Sequence, residues 1–119
     1  MMSYKQLNVW QRSMELVIEV YRLTKLYPKE ELYGITSQTR RAAVSIPSNI
    51  AEGYGRKHRQ EYTQFTRISF ASGAELETLL LIAKNLKLAS DIEFKKSDGL
   101  LDEVMRLLNR MIISLVAKP

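Results

Sequence analysis

The stretch YTQFTRISFASGAELETLLLIAKNL, residues 62–86, decides the fold. Within it Tyr62, Phe65, Ser69, Ser72, Leu76, Leu79, Ala83 and Leu86 recur at alternating steps of three and four, which places them on one face of an α-helix. At 1.5 Å per residue that helix is about 36 Å long. Its middle is small: Ser69, Ser72 and Gly73 leave room for a neighbouring helix to approach closely. Ile68, Phe70, Leu80 and Ile82 are expected outside this seam as additional apolar groups.

Upstream, Leu32, Ile35, Thr39, Ala42 and Ile46 repeat the same spacing, with a helix start anywhere from 30 to 36 because Gly34 weakens the first turn. Glu30 and Glu31 suit the positive end of the helix dipole. Pro47 removes a backbone donor and crowds the carbonyl of Ala43. Because Ile46, Ile50 and Ala51 carry the apolar face past it, the expectation is a second helix kinked at Pro47 and continuing to the glycines at 53 and 55. Gly53-x-Gly55 lacks a preceding strand, a third glycine and a Gly-Lys-Ser/Thr sequence, so it reads as a helix end in preference to a phosphate loop.

The first segment steps Leu7, Trp10, Met14, Val17, Tyr21, which makes Trp10 and Tyr21 core residues on the simplest reading. A second row, Leu16, Val20, Leu23 and Tyr27, lies one residue out of phase. Ser3 or Asn8 is placed to cap this helix, each with a glutamine three residues on. The last segment opens with Ser90 and Glu93 at capping-box spacing and carries Leu101, Val104, Leu108, Met111 and Leu115 on one face, with Met105, Ile112 and Val116 off phase. Four amphipathic helices on short connections pack most simply as an antiparallel up-down-up-down bundle, one all-α domain over residues 1–119. The off-phase rows exceed what a single bundle interior needs, which predicts self-association as a closed ring or a dimer.

Composition narrows the chemistry. The 119 residues include no cysteine and one histidine, His58, so thiol catalysis, thiolate zinc sites and histidine clusters are excluded within one chain. No cofactor or metal is expected, and an enzyme is disfavoured. His58, alone in a loop beside three cations, reads as a surface residue. The longest aliphatic run is Leu79 to Ile82, and the N-terminus lacks a basic stretch followed by an apolar run, so neither a membrane span nor a signal peptide is expected. A cytoplasmic protein is the corresponding expectation.

Charge is concentrated. Of a net charge of +5, residues 36–70 contribute Arg40, Arg41, Arg56, Lys57, Arg59 and Arg67 against Glu52 and Glu61. The densest part is the turn between the second and third helices, flanked by Tyr54 and Tyr62. Cations there suit phosphates, and the rings suit an exposed base. The same composition also describes a solvated turn that complements a helix dipole. A polar row on the second helix, Gln38, Arg41, Ser45, Asn49 and Glu52, requires hydrogen-bond partners if buried, with Glu75 or Glu77 on the third helix within reach of Arg41. It reads either as a structural network or subunit interface, or as a ligand groove. Two functions fit: a nucleic-acid-binding scaffold that recognises RNA or DNA phosphate, or an interaction oligomer whose basic turn docks an acidic protein.

The segment Ser37 to Arg56, with its core Ser45-Ile-Pro-Ser-Asn-Ile-Ala-Glu-Gly53, resembles the bacterial four-helix proteins first met as reading frames in the intervening sequences of 23S rRNA genes, also called ribosomal protein S23-like. Leu7-Asn-Val-Trp-Gln11, Pro28-Lys-Glu-Glu31 and Glu75-Leu-Glu-Thr78 extend the resemblance over nearly the whole chain. Ala71 departs from it, standing where the family pattern has glycine. The resemblance implies an antiparallel four-helix subunit that assembles as a homopentamer, with no known enzymatic activity. A related protein, the accessory variability protein of diversity-generating retroelements, is a basic pentamer that binds reverse transcriptase and nucleic acid. A five-fold ring would display Arg40, Arg41, Arg56, Lys57 and Arg59 five times, and such repetition strengthens weak contacts through avidity.

Overall fold

The computed structural model describes residues 3–117. Four helices account for most of them: α1 Asn8–Thr24, α2 Ser37–Tyr54, α3 Arg59–Asn85 and α4 Lys95–Ala117. Short 3₁₀ turns at Tyr4–Gln6, Lys29–Glu31 and Asp91–Phe94 and a π turn at Leu32–Thr36 complete the chain, and no strand occurs among the described residues. The fold is an all-α helical bundle measuring 48 × 22 × 21 Å.

Each helix packs on its neighbours in sequence, and α1 also packs on α4, so four contacts close a ring around one core. Contacts within each pair run in opposite chain directions. Thr24 meets Arg40 while Trp10 shares a groove with Ala51; Ser72 meets Ser45 while Phe65 meets Gly53. Lys84 meets Asp98 while Gly73 meets Met105, and Arg22 meets Glu93 while Arg12 meets Glu103. The start of α1, the α2–α3 turn and the end of α4 therefore lie at one end of the bundle.

In α1 the buried face is the row out of phase with Trp10. Leu16, Val20 and Leu23 are fully buried, whereas Met14 and Tyr21 are 37% and 39% exposed and Trp10 is half-buried. The expectation that Tyr21 is core is corrected, whereas Trp10 packs against the core without being enclosed and Val17 of its row is buried. Both rows are apolar, but α1 has two neighbours, α2 and α4, and only the row between them is fully covered. Tyr21 instead lies under the Arg40 guanidinium, 4.6 Å from its ring centre. Of the two candidate caps, Ser3 acts, and it caps the turn ahead of α1: its hydroxyl accepts from the Lys5 N–H and its own N–H donates to Gln6 Oε1.

Helix α2 runs unbroken through Pro47 to Tyr54, with Ile46 and Ile50 fully buried on either side of it. The departure from helical torsions ahead of α2 is at Gly34, with φ −111° and ψ −115°. Gly53 belongs inside the last turn of α2, where a Cβ would come within 2.8 Å of Phe65 Cβ, so it is a close-packing position. Gly55 is the residue that ends the helix.

The small middle of α3 admits helices on two sides. Ser69 and Ser72 face α2, donating to the Ile46 carbonyl at 2.9 Å and meeting Ser45 Oγ at 2.8 Å, and Gly73 faces Met105 of α4. Ile68 and Ile82 are exposed as expected, but Leu80 is buried and Leu81 takes the outward place. Helix α3 ends in a Schellman motif: the Leu88 N–H reaches the Ala83 carbonyl, the Lys87 N–H reaches that of Lys84, and Lys87 sits in the left-handed region at φ 56°.

The capping box expected at Ser90 does not form. Residues Asp91–Phe94 make a 3₁₀ turn without a side-chain cap, and Glu93 is held by Arg22 at 3.1 Å. Leu101, Val104 and Leu108 are buried as their spacing predicts, while Met111 and Leu115 are half-buried near the end of α4.

Candidate nucleic-acid interface

The six cations singled out by sequence separate into two groups. Arg41 and Arg56 are fifteen positions apart, about 22 Å along a helix axis. Arg40 is occupied, donating from Nε to Thr24 Oγ1 at 2.9 Å while covering Tyr21. Arg41 is exposed beside a recess of about 130 Å³ that Gln38, Ser45 and Glu75 also line, and no ion pair joins it to Glu75 or Glu77 among the described residues.

The other four cations cluster at the end where the α2–α3 turn lies. Arg56 pairs with Glu52 at 2.6 Å and stacks its guanidinium 4.8 Å from the Phe65 ring centre. Lys57, Arg59 and Arg67 are exposed and have no carboxylate partner among the described residues. Tyr54 and Tyr62 are not open platforms: their rings meet edge to face at 6.0 Å, and burial pushes the Tyr62 phenol above its ordinary pKa, aided by Tyr54. His58 is exposed in the turn just ahead of α3.

Residues distant in sequence complete this end. Toward this end α4 holds Arg110 and, from Val104 to Ala117, no carboxylate, and Lys5 lies in the 3₁₀ turn ahead of α1. Arg106 is paired with Asp102 at 3.2 Å. Between α3 and α4, Arg59, Gln60, Gln64 and Arg67 face Leu115 and Val116 across an open groove of about 470 Å³. This groove was not legible in either segment alone, although the absence of acids from residues 104–117 was a readable signal.

Of the polar row of α2, only Ser45 and Asn49 join a network, which reaches Ser72 of α3; among the described residues Gln38 and Arg41 make no side-chain hydrogen bond to it. Asn49 Nδ2 donates to the Ser45 carbonyl at 2.8 Å and to Ser45 Oγ at 2.9 Å, and Ser45 Oγ meets Ser72 Oγ. Glu52 stands apart from it, taken up by Arg56. Among the described residues no group of His, Cys, Asp or Glu is placed to hold a metal ion, and no helix is long and apolar enough to cross a membrane.

Fold and charge together define a helical-bundle protein with one cationic end. The chain belongs to the 23S rRNA-intervening sequence protein family, whose model matches residues 5–110. The bundle is similar to the crystal structure of a protein of unknown function from the S23 ribosomal protein family of Bacteroides thetaiotaomicron, at 20% identity and a TM-score of 0.80, covering 87% of this chain and 97% of that one. No curated protein matches the chain.

Proposed function

We propose that this chain is a non-enzymatic, cytoplasmic subunit that assembles with copies of itself and binds nucleic acid through phosphate contacts at its cationic end. The observation that carries the reading is the group Lys57, Arg59 and Arg67, exposed and without carboxylate partners among the described residues, at an end where α4 adds Arg110 and no acid. Unpaired cations on one face of a rigid scaffold release counterions from a polyanion when they bind it. Loss of salt-sensitive RNA or DNA binding on replacing Arg56, Lys57 and Arg59 by alanine tests this. A docked acidic protein is the competing outcome, recognised by protein binding with no nucleic-acid affinity even at low salt.

Self-association is supported by two unlike apolar surfaces. One is the α1–α2 groove of about 350 Å³ lined by Trp10, Met14, Val44 and Pro47; the other is at the end of α3, where Ile82 and Leu86, one turn apart, are 41% and 60% exposed. Pairing of unlike faces is heterologous and closes into a ring when its rotation permits. Five subunits is the number the family resemblance implies. A single-subunit mass by light scattering at micromolar concentration would refute the assembly.

A further inference from the structure

We infer that the α3–α4 groove takes single-stranded nucleic acid, with phosphates on Arg59 and Arg67 and a nucleobase against Leu115 and Val116; this rests on the nucleic-acid reading above. Arg59 and Arg67 lie eight positions apart on one helix, two turns or about 12 Å, with Gln60 and Gln64 on the same side. Facing them, Val116 is 56% exposed and Leu115 half-buried, so the opposite wall is aliphatic. A groove with cations on one wall and hydrocarbon on the other needs an occupant with the same division.

A duplex does not offer it. Its base faces are stacked inside, and its outer surface presents phosphates and sugars, which would lose hydration against Leu115 and Val116 with no hydrogen bond in return. A single strand exposes both a charged backbone and free base faces. Gln60 and Gln64 add amide donors and acceptors along the same wall, the complement that the edge of a base requires. The volume of about 470 Å³ accommodates a base with part of its sugar-phosphate backbone.

The test is fluorescence anisotropy with the intact, assembled protein and three labelled probes: an unstructured 20-nucleotide RNA, the same strand annealed to its complement, and an amphipathic peptide of glutamate and leucine. The single strand is expected to bind at least about tenfold more tightly than the duplex at 100 mM salt. Val116→Ser should weaken single-strand binding about threefold without altering the salt slope, and Arg59→Gln with Arg67→Gln should lower the slope by about 1.4. All three side chains are at the surface, so unchanged thermal melting verifies that the variants fold. Equal or tighter duplex binding, or an unaltered single-strand affinity in Val116→Ser, overturns this inference while leaving phosphate binding intact. Binding of the peptide alone, or of no probe at 50 mM salt, overturns the nucleic-acid reading itself.

Discussion

Gly53 lies so close to Phe65 that a Cβ on the glycine would come within 2.8 Å of the phenylalanine Cβ and 3.3 Å of the Tyr62 carbonyl. These atoms are anchored to the α3 backbone, so Gly53→Ala must push α2 and α3 apart. The expected cost is about 2–3 kcal/mol in urea unfolding, despite the higher helix propensity of alanine.

Gly73 meets α4 through the flexible end of Met105, where a Cβ would collide with the thioether sulfur. A methionine can turn aside, so Gly73→Ala is expected to cost about 1 kcal/mol or less. Combined with Met105→Ala the two effects should not add, because the second change removes the collision caused by the first. A double-mutant cycle by denaturant melts measures this, and strict additivity would show that the two side chains do not compete for space.

Tyr27 is buried, yet its hydroxyl has no hydrogen-bond partner among the described residues. Tyr27→Phe is expected to leave stability unchanged or raise it by about 1 kcal/mol at neutral pH, since it removes an unsatisfied group. Burial, with a smaller contribution from Asp98, pushes the phenol from 10.0 up to about 12. Between those values the unfolded chain loses the proton while the folded one keeps it, so stability falls as pH rises from 10 to 12. The phenylalanine variant should lack that part of the alkaline loss in melts recorded across this range.

Glu19 is 4% exposed and takes two hydrogen bonds from Arg22 Nε and a third from Nη2, while Lys96 Nζ stands 4.0 Å away. Arg22→Ala leaves this carboxylate buried with one distant cation and also frees Glu93 from α1. A loss of about 2 kcal/mol is expected by urea unfolding, partly recovered in Arg22→Ala with Glu19→Gln.

Lys87 adopts the left-handed conformation that glycine accepts without steric cost. Lys87→Gly should stabilise the end of α3 by about 0.5 kcal/mol, the steric relief being partly offset by greater freedom of the unfolded chain. Thermal melting reads the sign.

Periodicity made the four helices legible, most clearly in α3, where Leu76, Leu79 and Ala83 fall inside as their spacing requires. It did not choose between two apolar rows on α1, because that choice depends on which helices flank α1. Ser90 and Glu93 had capping-box spacing, but Arg22, seventy-one positions upstream of Glu93, captured the carboxylate. The cationic site was half-legible for the same reason. Composition located Arg56 to Arg67, whereas the facing of Arg59 by Val116 is set by helix direction and pairing.

Because α1 begins and α4 ends at the same end of the bundle, a mechanical load applied through residues 3 and 117 would not draw on all four helices at once. The pull would act across the α1–α4 seam and open it from the cationic end, taking Arg12–Glu103 before Arg22–Glu93. Stretched in an optical trap, a single subunit should unzip at low force, contact by contact.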